Sequence, residues 1–159
     1  MADQIYLFKY AINYLSKYSS SKKNLERTLK NKIMRMKIDK KDKFILYNSI
    51  PEILIKLENN KFIDDSLYAS SKINTFITNG KSKIYISSYL LKKGVEKKLI
   101  QELLQKKDEE NFDWEIEAAK KFIRKKNFSK FLENKEKLMS KMARAGFSYE
   151  IVKKLLDES

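Results

Sequence analysis

The sequence predicts an all-α fold of tandem three-helix repeats, about nine short helices stacked into an elongated, curved body. Three observations carry that prediction. Of 159 residues only 3 are Gly and 1 is Pro, whereas all-β chains need a Gly, Pro or Asn-Gly signal at almost every reversal. Apolar residues recur at spacings of three and four, the period of a helix face rather than of a strand. One stretch of that pattern also returns in register later in the chain. With 42% hydrophobic and 35% charged residues, the chain has enough apolar matter for a core and reads as folded rather than disordered.

The first helix is expected from about Asp3 to Tyr18, with Ile5, Phe8, Ile12 and Leu15 on its apolar face. Ser19, Ser20 and Ser21 break it, and Ser21 caps a second helix whose stripe is Leu25, Leu29, Ile33 and Met36. Asp39 to Lys43 reads as a charged link. The third helix is expected to open at Ser49, with Pro51 in its first turn and Glu52 completing a capping box, and to run to about Asn59. Asp64 or Asp65 caps a fourth helix bearing Leu67, Tyr68, Ile73, Phe76 and Ile77, closed by Asn79 and Gly80. A fifth carries Ile86, Leu90 and Leu91 and stops at Gly94; Glu96 opens a sixth with Leu99, Ile100, Leu103 and Leu104. After the acidic run Asp108, Glu109 and Glu110 comes a seventh with Trp114, Ala118, Phe122 and Ile123. An eighth holds Leu138, Met139 and Met142 up to Gly146, and Ser148 caps a ninth with Ile151, Val152, Leu155 and Leu156.

Setting Gly94 on Gly146 places Ile86 on Leu138, Leu90 on Met142, Val95 on Phe147, Leu99 on Ile151, Ile100 on Val152, Leu103 on Leu155 and Leu104 on Leu156. Leu25, Leu29 and Ile33 keep the same four-residue steps. The helices thus group as three repeats, residues 1–62, 63–107 and 108–159, of one continuous structural domain. Units of that size bury too little alone and gain a core by stacking, which yields one long concave face.

Lys plus Arg number 35 against 21 Asp plus Glu, a formal net charge of +14 that points to a polyanionic partner. Only 4 of the basic residues are Arg and 31 are Lys, amid abundant Asn and Ile, so part of the count reflects the coding bias of an AT-rich genome. Bias does not explain placement. Residues 1–47 carry 12 basic and 4 acidic groups, 48–107 carry 11 and 6, and 108–159 carry 12 and 11. The stretch from Lys22 to Lys43 supplies the candidate contact residues Lys22, Lys23, Arg27, Lys30, Lys32 and Arg35; Lys92, Lys93, Arg124 and Lys125 are further candidates. A charge run on a helix is more often a solvated face, and the adjacent Asp64 and Asp65 are better explained as caps than as a metal or acid–base dyad. Phe76, Trp114 and Phe122 fall on apolar stripes and read as core. Tyr85 and Tyr89 lie off theirs and are the exposed candidates for stacking on bases.

The chain has no Cys and no His. Structural zinc, disulfides, thiol catalysis and imidazole bases are thereby removed together, and no phosphate loop or nucleophile elbow is present. A protein that is not an enzyme and needs no cofactor is expected. The N-terminal stretch lacks the basic head and uninterrupted apolar run of a signal peptide, and no segment approaches the ~18–20 apolar residues of a membrane span. The expectation is a cytoplasmic monomer without membrane contact.

Four clusters then acquire a common meaning: Ser21 with Leu25 and Leu29; Phe62-Ile63-Asp64-Asp65 followed by Tyr68-Ala69; Ile86 and Leu90 before Lys93-Gly94-Val95; and Gly146-Phe147-Ser148-Tyr149-Glu150-Ile151. In this order and spacing they resemble the RecX family, small bacterial regulators of the RecA recombinase, over nearly the whole chain. The structural motif residues of the resemblance are Asp64, Asp65, Tyr68, Gly94, Gly146 and Phe147. Lys61 stands where the family usually has Gly, Asn24 replaces a usual Glu and Ser82 a usual Gly. The Arg-rich surface is here mostly Lys, which offers a point charge rather than a bidentate fork. The resemblance implies a non-enzymatic regulator that binds the RecA nucleoprotein filament and lies along its groove. It would inhibit recombinase and co-protease activity in DNA repair, recombination and the SOS response, with DNA contacted mainly through its backbone as an auxiliary. The other reading of the same residues is a stand-alone nucleic-acid-binding module of helix-turn-helix type. Such a reader would bind DNA without RecA and lose about 0.9 of log K per log salt for each phosphate contacted.

Overall fold

The computed structural model describes residues 4–126 and 134–157. In order, its helices are α1 (Gln4–Lys17), α2 (Lys22–Arg35), α3 (Lys40–Asn59), α4 (Asp65–Thr78), α5 (Lys83–Lys92), α6 (Lys97–Glu110), α7 (Trp114–Lys125), α8 (Lys135–Arg144) and α9 (Tyr149–Asp157). No strand occurs among the described residues, as the all-α prediction requires. The start expected for the first helix, Asp3, lies outside the described residues. Two compact units are formed. One holds the described residues up to Tyr68 together with Lys93–Val95; the other holds Ala69–Lys92 and the described residues from Glu96 onward.

In the first unit α1, α2 and α3 pack on one another around Leu7, Ala11, Leu25, Leu29, Ile33, Leu46, Ile50, Ile53, Leu54, Leu57 and Ile63. The expected stripe of α1 is rotated. Leu7 and Ala11 are fully buried, Phe8, Ile12 and Leu15 only partly so, and Ile5 is 64% exposed. The cause is that α1 touches two helices at once, and the small Ala11 lets it approach both. α2 follows its predicted stripe at Leu25, Leu29 and Ile33, while Met36 lies past the helix end as its half-buried C-cap.

The third helix corrects the sequence reading most. Asp39 is its N-cap, accepting the Asp42 N–H at 2.8 Å, so the expected charged link is the first turn of a 20-residue helix. Ser49 is not a cap; its hydroxyl donates to the Leu46 carbonyl at 2.6 Å. Pro51 sits mid-helix, where it withholds one ladder hydrogen bond. The helix survives because Leu46, Ile50, Ile53, Leu54 and Leu57 are buried along one continuous face, while Pro51 itself is exposed and the carbonyl it leaves can face water. At the end of α3, Lys61 takes a left-handed conformation, φ +60°, and the Phe62 N–H reaches back to the Leu57 carbonyl at 2.9 Å.

Asp64 caps α4, accepting the Leu67 N–H at 3.0 Å. The buried face of that helix is Tyr68, Ala69 and Ile73, which leaves Leu67 70% exposed. In the second unit α5 packs on α6, and α7 and α8 on α9. Ile86, Leu90, Ile100 and Leu104 are buried there, as are Trp114, Ala118, Leu138, Met142, Phe147, Val152 and Leu155. Several positions matched across the two glycines therefore share the same burial. Leu91 points outward instead, and Phe76 and Phe122 are half-buried rather than core.

Candidate functional site

The first unit holds the strongest concentration of cations, on α2, and the position of that helix is set by a polar joint. Ser21 is wholly buried. Its Oγ accepts the Asn24 N–H at 3.1 Å, capping α2, and donates to the Lys93 carbonyl. One residue on, the Lys22 N–H donates to Asp65 Oδ1 at 2.8 Å. Asp65 therefore serves the start of α2, while its neighbour Asp64 caps α4. Gly94 completes the joint at φ +81°: a Cβ there would run into Cβ and Cγ of Lys23 and stand 3.1 Å from Arg27 Nη2. The side chains of Lys23 and Arg27 thus lie against this turn, which Lys93 and Lys22 join through a backbone carbonyl and a backbone N–H.

The second unit repeats the plan. Ser82, also wholly buried, accepts the Tyr85 N–H at 3.1 Å and donates to the Ala145 carbonyl at 2.7 Å. The Lys83 N–H donates to Glu115 Oε1 at 3.2 Å, and Gly146, at φ +91°, would place a Cβ 2.5 Å from Ser82 Oγ. Asp108 reinforces the joint by holding Lys83 Nζ at 2.6 Å and accepting the Trp114 Nε1–H at 2.7 Å, which satisfies the polar edge of a buried indole.

The cations of α2 are not equivalent. Lys22 pairs with Glu58 at 3.1 Å and Lys30 with Glu26 at 2.8 Å. Lys23, Arg27 and Lys30 lie on the side turned away from the Leu25/Leu29/Ile33 stripe, by the helical period. Lys32 and Arg35 turn instead toward α1, where Lys32 Nζ sits 5.0 Å from the centre of the Tyr10 ring and 5.8 Å from that of Tyr6. In the second unit Lys92 closes α5, and Arg124 and Lys125 are exposed in the last turn of α7, where positive charge complements the helix dipole. Tyr85 is 39% exposed, as expected, whereas Tyr89 is half-buried. Both pack edge-on against Phe76, at 5.4 and 4.7 Å, with Lys81 over one ring and Lys72 over the other.

Burial raises the carboxyl pKa of Asp65 and of Glu115 above the ordinary range, more strongly than the backbone N–H each accepts lowers it. The hydrogen bond from Lys30 lowers that of Glu26. Sequence reasoning found the caps Ser21 and Asp64 and the cations. It missed the long-range bonds of the joints. The available signal was the Ser-Lys pair at 21–22 and again at 82–83, each at the opening of a helix. No helix among the described residues is long and apolar enough to cross a membrane.

No family model matches the chain, but individual relatives do. Regulatory protein RecX of Clostridium acetobutylicum is 32% identical over 155 residues, spanning 92% of this chain and 70% of that protein. The chain belongs to the RecX family. RecX of Myxococcus xanthus is 28% identical over 97% of this chain and 86% of its own length. RecX of Bacillus licheniformis is 29% identical over 96% of this chain but only 54% of its own, so the chain spans about half of that relative. The crystal structure of RecX from Lactobacillus salivarius superposes with a TM-score of 0.71 at 26% identity, covering 99% of this chain and 97% of that one. A second crystal structure of a regulatory protein RecX matches in fold, with a TM-score of 0.73 at 22% identity. The members of the family found here are named regulatory proteins, and the motif residues Asp64, Asp65, Tyr68, Gly94, Gly146 and Phe147 are those that build its caps, turns and core in this chain.

Proposed function

We propose that this protein is a regulator of the RecA recombinase that binds the RecA–DNA filament in the cytoplasm and inhibits it during DNA repair and the SOS response. The observation that carries the reading is the seating of the Lys23 and Arg27 side chains against the Gly94 turn, where the Lys93 carbonyl fixes the start of α2. A rigid cationic surface presented by packed helices suits a polyanionic assembly, because little ordering entropy is lost on binding. Lys23 and Arg27 are its centre. Contact with the DNA backbone is auxiliary, through Lys30 and the cations of the second unit, Lys92, Arg124 and Lys125. The same reading keeps residues 1–62, 63–107 and 108–159 as the modules laid along the filament, with the protein acting as a monomer.

The test is a titration of RecA-driven ATP hydrolysis at two salt concentrations. Sub-stoichiometric inhibition is expected, with weak binding of DNA in the absence of RecA; strong, salt-steep DNA affinity without RecA would instead favour a direct nucleic-acid reader. Lys23→Glu with Arg27→Glu should raise the concentration for half inhibition by about tenfold or more, the scale of two lost charge contacts. The pair is preferred to Lys22 and Lys30 because reversing those would set new carboxylates beside Glu58 and Glu26. Unchanged inhibition by the double variant, with helicity intact, overturns the assignment.

A further inference from the structure

α1 and α2 enclose a groove of about 280 Å³ lined by Tyr10, Thr28, Asn31, Lys32 and Arg35. Every lining side chain carries a hydrogen-bond donor, and none is acidic. Two other lysines of α2 are matched by carboxylates, Lys22 by Glu58 and Lys30 by Glu26. Among the described residues neither Lys32 nor Arg35 has such a partner. Lys32 is held in place by the faces of Tyr10 and Tyr6 instead. Two like charges three residues apart on one helix face repel, and an anion lying between them removes that cost.

We propose that this groove seats the phosphate of a single nucleotide. The phosphate lies between Lys32 and Arg35, with the Asn31 amide and the Tyr10 hydroxyl as further donors, and the base lies against the partly exposed ring of Tyr6. The volume is at the small end of ligand sites, which fits one nucleotide and not a larger ligand. The nucleotide is either free or part of a single strand, since both present the same phosphate and base. This site faces α1, away from Lys23 and Arg27, and stands or falls separately from the RecA reading.

The experiment measures binding of dAMP, inorganic phosphate and an oligothymidylate of eight residues to the full chain at low and moderate salt. Lys32→Gln with Arg35→Gln is compared with Lys56→Gln with Lys107→Gln, which removes the same charge from lysines paired with Glu52 and Glu110. The first pair should weaken dAMP or oligonucleotide binding by about tenfold or more and flatten its salt dependence, and the second by less than about twofold. Tyr6→Leu should weaken dAMP but not inorganic phosphate. Amide shifts at Tyr10, Thr28 and Asn31 on adding dAMP to the unaltered protein test the site independently of any variant. Binding of the oligonucleotide alone, lost in the first pair, assigns the source to a strand. Equal losses in both pairs show diffuse charge attraction and overturn the proposal, as does the absence of shifts at those three amides with either ligand.

Discussion

Replacing Ser21 or Ser82 by Ala removes one hydroxyl and two hydrogen bonds. For Ser21 these are the cap bond from the Asn24 N–H and the bond given to the Lys93 carbonyl; for Ser82 they are the bond from the Tyr85 N–H and that to Ala145. Loss of a Ser cap costs about 1 kcal/mol. Taking the donor from a carbonyl inside a buried joint adds about 1–3 kcal/mol, so each variant should lose about 2–4 kcal/mol. Ser148 is the internal control. It caps α9, accepting the Ile151 N–H at 3.3 Å, but it is exposed, and Ser148→Ala should lose only about 0.5–1 kcal/mol. In a chain of this size each kcal/mol lowers Tm by about 2–4 °C, so the buried pair should melt about 5–15 °C lower and Ser148→Ala no more than about 4 °C lower. Urea unfolding followed by circular dichroism reads the same order as a shift of midpoint at constant slope. If Ser21→Ala and Ser82→Ala lose no more than Ser148→Ala, the joints contribute nothing beyond a helix cap and the argument built on them is wrong.

Two further outcomes follow from single residues. Lys61→Gly should stabilise the protein by about 0.5–1 kcal/mol, because a left-handed Lys costs about 1–2 kcal/mol and the added chain entropy of Gly returns part of that; an unchanged or lower urea midpoint refutes it. Asp65 and Glu115, with carboxyl pKa values raised by burial, bind a proton more tightly folded than unfolded, so their contribution is fullest below the ordinary carboxylate range and is lost as pH rises through the raised values. Asp65→Asn and Glu115→Gln keep an acceptor for the Lys22 and Lys83 N–H groups without the charge. The stability of the unaltered protein relative to either variant should therefore grow as pH falls from 7 toward about 4, and a difference that stays flat or shrinks rules out the burial argument.

What the sequence made legible is what local periodicity and caps encode. Helix identity, the α2 stripe, the Ser21 and Asp64 caps and the positive-φ glycines at 80, 94 and 146 all rest on residues within one turn of each other. The failures share a cause. At α3, Ser49, Pro51 and Glu52 formed a plausible local start signal, yet the apolar face running from Leu46 to Leu57 carries the helix straight through it: tertiary burial outweighed one missing N–H. At α1, the choice between Ile5 and Leu7 depended on packing against two helices at once, which no single-helix period encodes. The cations were legible as residues but not as a site, because Lys22 and Lys30 are bound to Glu58 and Glu26 while Lys32 turns onto tyrosines of another helix. Lys61 shows that a left-handed turn is held here without glycine.

The joints also answer a problem that apolar repeats create. Stripes such as Leu25, Leu29 and Ile33, stepping by four, look alike after a slip of one turn, about 5.4 Å along the axis, and hydrophobic contact alone discriminates poorly between the two registers. Directional bonds discriminate strongly. A one-turn slip of α2 would separate the Ser21 hydroxyl from the Lys93 carbonyl and the Lys22 N–H from Asp65 together, stranding buried polar groups that cost more unpaired than they gain paired. It would also drive another side chain into the space that Gly94 keeps open beside Lys23 and Arg27. The register of α2, and with it the spacing of Lys23 and Arg27 from Lys93, is thus fixed by a serine, an aspartate and a glycine that bear none of the positive charge. Substitutions at Ser21, Asp65 or Gly94 should therefore change partner binding as well as stability, by displacing cations they do not themselves supply.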